Sequence, residues 1–297
     1  MTVKRVGLIG LGLMGHGLGK NLLKHGFTLT VFDVDPGAVE RLVREGAGPA
    51  NSPKRVAEAS EVVITVLPDG PDVEAAVLGP EGILSGAQPG LLLMDCSSID
   101  PAVTQRLGAT LRAGGYRMVD AAMGRGADEA EAGKLAFMVG AADEDLAVVR
   151  PLLEAMGEKI IHCGGPSAGI TAKVINNLLA STILAADMEA LSLAAKAGLR
   201  LDMMLELLSS TAANNDQLRT TVGKVVDGEF DPGFKAWLAH KDAGLAENLA
   251  ARMAVPLFVL APARQLLSAV LAEGHGDRAS YIVGDLLQRL AGVRIKR

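Results

Sequence analysis

The chain has 297 residues, of which 49% are hydrophobic, 21% charged and 3% aromatic. That is ample core material for two ordinary domains and argues against disorder. A formal charge of −5 and a pI near 5.6 exclude nucleic acid as the expected main partner. Mean hydropathy is +0.29, yet no charge-free apolar run reaches the ~18 residues that span a bilayer, so no membrane partner is expected.

Lys4-Arg5 precede a short apolar segment that breaks into glycines, which reads as a first strand and not a signal peptide. In chain order, Val6 to Ile9, Leu29 to Phe32, Val62 to Val66, Leu91 to Met94, Met118 to Val119, Leu135 to Val139 and Lys159 to His162 have the β-branched, apolar character of strands. Between them lie helical spacings such as Val39-Leu42-Val43 and Val103-Leu107-Leu111. Strands alternating with helices predict an α/β fold, a doubly wound and mostly parallel sheet of Rossmann type. After Gly164-Gly165-Pro166 the character changes. Residues 167–196 form one long helical pattern, and further helices are expected near 202–209, 236–252, 257–273 and 279–291. The predicted domains are therefore residues 1–164, α/β, and 165–297, all-helical and entered through a long connecting helix. Ala- and Leu-rich helix faces with few aromatics suggest a homodimer or homotetramer. Cys96 and Cys163 make neither a disulfide framework nor a metal site, no metal is expected, and a reducing cytoplasm is the expected location. Arg294, Lys296 and Arg297 read as a solvated tail.

The segment Gly10-Leu11-Gly12-Leu13-Met14-Gly15 has the G-x-G-x-x-G spacing. It follows a strand and opens a helix at the start of a βαβ unit, the context a dinucleotide site requires. Gly10 permits the turn, Gly12 lets the backbone approach a pyrophosphate, and Gly15 lets helix and strand pack closely. Asp33 closes the second strand, where a carboxylate accepts from both ribose hydroxyls and repels a 2′-phosphate. Val34, Asp35 and Pro36 follow it, with no Arg, so NAD is expected over NADP. Asp35 suits the N-cap role before Pro36 better than Asp33 does. Leu67-Pro68-Asp69 should form the loop beside the adenosine.

In the long helix, Lys173 and Asn177 stand one turn apart on one face, with Gly169 a turn earlier. No charge occurs between Lys173 and Asp187. A lysine there is either a snorkelling side chain or a catalytic one. The adjacent Asn176 and Asn177 cost helix propensity, which a polar pocket would explain. His16, His162 and His240 are scattered and read as packing or capping groups.

Gly10-x-Gly12-x-x-Gly15 with Asn21-Leu22-Leu23, then Asp95-Cys96-Ser97-Ser98-Ile99, Gly169-x-x-x-Lys173-x-x-Asn176-Asn177 and His240-Lys241-Asp242 together resemble the β-hydroxyacid dehydrogenase family across nearly the whole chain. That family holds 3-hydroxyisobutyrate dehydrogenases, tartronate semialdehyde reductases and short-chain semialdehyde reductases. The resemblance implies NAD-dependent interconversion of a small anionic 3-hydroxy acid and its aldehyde. It implies Lys173 as the catalytic residue, Asn177 (with Asn176 beside it) orienting substrate, Ser98 near the substrate carboxylate and Lys241 lining the cofactor and substrate cleft. Oxidation would need the Lys173 pKa to fall from ~10.4 toward neutrality, with Lys241 as a second positive charge pushing it down. Many relatives carry Ser-Gly-Gly where this chain has Gly124-Arg125-Gly126. That variant resembles the sulfolactaldehyde reductase branch, also associated with 4-hydroxybutyrate chemistry, and makes Arg125 either a site for a sulfonate or carboxylate or a surface residue beside Asp128 and Glu129. Imine reduction and a non-catalytic dinucleotide-binding scaffold are the other readings, and Lys173 weighs against both.

Overall fold

The computed structural model describes residues 3–230 and 233–296. The chain divides into two compact units, Met1–Lys173 and Val174–Arg297. The first holds β1 (Arg5–Ile9), α1 (Leu13–Lys24), β2 (Thr28–Phe32), α2 (Pro36–Arg44), β3 (Gly48–Pro49), α3 (Pro53–Glu58), β4 (Val62–Thr65), α4 (Gly70–Leu78), α5 (Ile83–Gly86), β5 (Leu92–Asp95), α6 (Pro101–Ala113), β6 (Arg117–Gly124), α7 (Ala127–Glu131), β7 (Leu135–Gly140), α8 (Asp143–Met156) and β8 (Gly157–Gly164). Helix α9 (Ala168–Lys196) begins in this unit and carries the chain into the second. There follow α10 (Leu201–Ser209), α11 (Asp216–Thr220), α12 (Val222–Asp227), α13 (Ala236–Arg252), α14 (Leu260–Ala272) and α15 (Val283–Ala291).

The strands form one sheet in the order β3-β2-β1-β4-β5-β6-β7-β8. Successive residues of a strand face opposite sides. Leu8, Ile64 and Met94 enter one core with Leu18, Leu22 and Leu153, while Ile9, Val63 and Leu93 enter the other with Val73, Leu107 and Leu111. Burial on both faces is why these strands read as continuous apolar runs. The order reverses between β1 and β4, the switch point at which open α/β sheets bind ligands. Every neighbouring pair is parallel except β6 and β7, which is antiparallel. Only the single-turn α7 joins those two strands, too short a connection for the usual parallel crossover. Strand β6 is much longer than Met118–Val119, because β5 pairs with Arg117 to Asp120 and β7 takes up the weakly β-prone Asp120-Ala-Ala-Met-Gly end. The two-residue β3 has no strand signal of its own.

In the second unit the described elements are helical, apart from an isolated bridge between Lys235 and Ala279. Leu184, Met188 and Leu191 of α9 pack with Val222, Val225, Leu267, Val270 and Leu286 in the main core. Short helices α11 and α12 escape a reading by sequence, since five or six residues give no periodicity; Asn215, whose side chain caps α11, is the available signal. By length and composition α9 is apolar enough to cross a membrane, with a third of its most apolar stretch buried. Arg294 and Lys296 are exposed, as read from the sequence, but Ile295 between them is buried and its N–H donates to Gln288 Oε1 at 2.7 Å, so the backbone is tied down to that point. Arg297 lies outside the described residues.

The units divide nine residues later than the boundary expected at 164. The first turn of α9 belongs to the sheet unit because Ser167 and Ile170 donate their N–H groups to Asp120 of β6.

Candidate active site

The glycine turn leaves β1 at the switch point. Gly10 has φ +91°, and a Cβ on it would lie 2.1 Å from the Val66 carbonyl oxygen; a Cβ on Gly15 would lie 1.9 Å from Gly10 O. Both positions therefore exclude any side chain. Gly12 differs: nothing lies within 4 Å of a Cβ there. It needs no glycine for packing, and its bareness leaves room for a group outside the chain. Gly12 is also the N-cap of α1, with no side-chain cap and no acidic residue in the first turn. The N–H groups at the start of α1, at Leu13 and Met14, face outward with the positive end of the helix dipole, as a pyrophosphate requires. These residues fit a dinucleotide.

Asp33 closes β2. Its Oδ2 accepts from Leu11 N–H at 2.6 Å and its Oδ1 from Asp35 N–H at 2.8 Å. The carboxylate thus braces the glycine turn, and each oxygen keeps a lone pair for a ribose hydroxyl. Asp35 caps α2 by accepting from Gly37 N–H. Leu67 and Pro68 follow β4, and Asp69 caps α4. Sequence reasoning passes over Ser97: it is buried, and its hydroxyl accepts from Leu67 N–H at 2.9 Å, fixing the Leu67 loop against the end of β5. Ser98 comes next, half-buried at the same sheet edge.

Gly124 ends β6. A Cβ there would lie 3.3 Å from Ala136 O, so a serine would need only a small adjustment. Arg125 has φ +74°, a left-handed conformation suited to glycine. Its guanidinium donates to the Lys134 carbonyl at 2.6 Å and pairs with Glu158 at 2.5 Å. This corrects the expectation of a fixed positive charge held ready for a substrate anion: the charge is balanced by Glu158 on the surface.

Lys173, half-buried, sits in the second turn of α9. Asn177, one turn further, is buried; its Nδ2 donates to Asp242 Oδ2 of α13 at 2.6 Å, and Asn176 Nδ2 donates to Asn177 Oδ1 at 3.1 Å. Because a carboxylate only accepts, Asp242 fixes which way the Asn177 amide points. The adjacent asparagines in mid-helix have their reason here. Lys241 Nζ lies 3.2 Å from Asp242 Oδ1, its side chain 14% exposed. Its charge is therefore balanced by the neighbouring carboxylate. Asp242 is legible in the sequence only as part of the His240-Lys241-Asp242 run.

The histidines lie elsewhere. His16 meets Glu45 and Glu131, His162 Nε2 meets the Ala141 carbonyl, and His240 meets the Ser268 hydroxyl, with burial lowering its pKa. Among the described residues no three His, Cys, Asp or Glu side chains gather as metal ligands.

Residues 5–165 match the family model described as the NAD binding domain of 6-phosphogluconate dehydrogenase. Residues 167–284 match the one described as the NAD-binding domain of NADP-dependent 3-hydroxyisobutyrate dehydrogenase. The chain is 36% identical to 3-sulfolactaldehyde reductase of Escherichia coli, with 98% of each chain covered. It is 35% identical to the NAD-dependent L-serine dehydrogenase of Pseudomonas aeruginosa, covering 98% of this chain and all of that one. A solved structure of 3-hydroxyisobutyrate dehydrogenase from Mycobacterium tuberculosis with L-serine superposes with a TM-score of 0.88 at 30% identity, covering 97% of this chain and 100% of that one. With the glycine turn, the two-unit fold and the lysine-bearing α9 in place, the chain belongs to the β-hydroxyacid dehydrogenase family, oxidoreductases that use a nicotinamide dinucleotide.

Proposed function

We propose that this protein interconverts a short anionic 3-hydroxy acid and its aldehyde with NAD(H), and that Lys173 handles the proton. The observation that carries the reading is the pair Lys173 and Asn177, one turn apart on α9, with the Asn177 amide held in one orientation by buried Asp242. When bound, the nicotinamide supplies or takes up the hydride. In reduction the Lys173 ammonium donates to the carbonyl oxygen; in oxidation its amine takes the hydroxyl proton. Asn177 presents its amide to the same oxygen or its neighbour, and Ser98 with the Gly124 backbone receives the acid end. Asp33, at the ribose position with exposed Val34 and no basic residue after it, favours NAD over NADP.

The relatives act, by their names, on a sulfonated aldehyde, on L-serine and on 3-hydroxyisobutyrate, all short molecules with an anionic group near the reacting carbon. A semialdehyde of the sulfolactaldehyde kind is the substrate this reading favours. The test is a panel of aldehydes of equal length ending in sulfonate, carboxylate or methyl, each assayed with NADH and NADPH. Anionic aldehydes should exceed the uncharged one, and NADH should exceed NADPH by about tenfold or more in kcat/KM, or ~1.4 kcal/mol. Equal rates on the uncharged aldehyde would overturn the substrate class, and equal use of both cofactors would remove Asp33 from the ribose.

A further inference from the structure

The start of α9 is capped from outside the helix. Ser167, just before it, has φ +71° and so lacks the extended backbone of an ordinary N-cap. The helix also has no acidic residue in its first turn. Asp120 supplies the missing acceptor from β6: Oδ1 takes the Ser167 N–H at 2.6 Å and Oδ2 the Ile170 N–H at 2.7 Å. The seat is cut to fit. A Cβ on Gly140 would lie 2.5 Å from Asp120 Oδ1, and one on Gly169 would lie 2.4 Å from Met138 O and 2.9 Å from Asp120 Oδ2. Ser167 is held again through its carbonyl, which accepts from the Thr171 hydroxyl, and through its own hydroxyl, which accepts from Gln105. Lys173 comes three residues after Ile170, ~4.5 Å along the helix axis.

We infer that Asp120 is a positioning residue for the reaction, capping α9 from the sheet and thereby setting where Lys173 presents its amine. The inference rests on the reading of Lys173 as the proton-handling group. Two N–H donors on one carboxylate define both the height and the rotation of the helix start, which a single bond would not. Displacement of a catalytic group by ~1 Å costs up to a hundredfold in rate, so a looser seat shows in turnover before it shows in folding. The carboxylate nearest in the sheet is no substitute: Asp95, on the neighbouring strand, is spent on Thr65 and Ser97.

The test is Asp120→Asn, which keeps the shape but offers one acceptor and sets an N–H₂ against the second donor. The expected result is a fall of about tenfold or more in kcat, with the Kd for NADH and the unfolding midpoint at pH 8 near wild-type values. A kcat within about twofold of wild type overturns the inference, and so does a fall in stability or NADH affinity that accounts for the lost activity. Lys173→Ala runs beside it. If that variant is active, the reading of Lys173 fails; if it is inactive while Asp120→Asn turns over normally, only the positioning role falls.

Discussion

Two helices follow strands of the same sheet, α1 after β1 and α9 after β8, and their N-termini are treated in opposite ways. Helix α1 has no side-chain cap, no acidic residue in its first turn, and open space over Gly12. Helix α9 is capped from within by the buried carboxylate of Asp120. A helix N-terminus wants negative charge in either case. At α1 the chain leaves that demand open to an anionic ligand, whereas at α9 it answers the demand itself. On the proposed reading, recognition of the cofactor and placement of Lys173 rest on one physical effect used at two sites.

The sharpest way to separate the two helix starts is to remove the group that each one serves. Lys173→Ala should lower kcat by about 10²–10⁴ while NADH affinity stays near wild type, because the phosphates are held at α1. A variant that keeps more than about half of wild-type kcat would deprive α9 of its chemical role.

The next largest effect concerns the internal cap and pH. Burial, outweighing the backbone hydrogen bonds from Ile170 and Ser167 that favour the ionised form and aided by the charge of Asp95, raises the Asp120 pKa from 3.8 to about 6. Asp95 on β5 and Cys163 on β8 are the titratable neighbours that interact with it, and the Arg117–Asp145 pair lines the same hollow. A folded pKa above the unfolded one means that this group favours the fold most below about pH 4 and loses that contribution as pH rises through about 6. The loss amounts to about 3 kcal/mol. Denaturant unfolding of wild type and Asp120→Asn across that range should show the difference between them changing by this order. A difference that stays flat would mean that Asp120 titrates as an ordinary carboxyl.

At α1 the comparison sharpens between two glycines. Gly12→Ala adds a methyl to open space, so the unfolding midpoint should hold while NADH affinity falls by about tenfold, ~1.4 kcal/mol. Gly10→Ala should instead destabilise the fold, since its Cβ meets the Val66 carbonyl at 2.1 Å. Isothermal titration beside thermal unfolding would reveal a reversal of that order.

The smallest effect belongs to Arg125. Arg125→Gly relieves a left-handed residue, worth ~1–2 kcal/mol, and gives up a surface ion pair, worth ~0–1 kcal/mol. Stability should rise by about 1 kcal/mol or less, and KM for anionic aldehydes should barely move. A tenfold rise in KM confined to anionic substrates would restore Arg125 to the substrate site.

The sequence by itself determined the alternating βα pattern, the glycine turn with Asp33 closing β2, and the face shared by Lys173 and Asn177, because each is a local periodicity or a short spacing along one element. Tertiary structure alone decided the antiparallel turn of β7, the pinned Ile295, the neutralising partners of Arg125 and Lys241, and the carboxylates behind the start of α9 and Asn177. Asp120 lies 47 and 50 residues from the N–H groups it caps, and Asp242 lies 65 from the amide it holds. No periodicity carries such pairs. They exist because burial leaves a backbone donor or an amide without water, and the fold brings the nearest carboxylate to it.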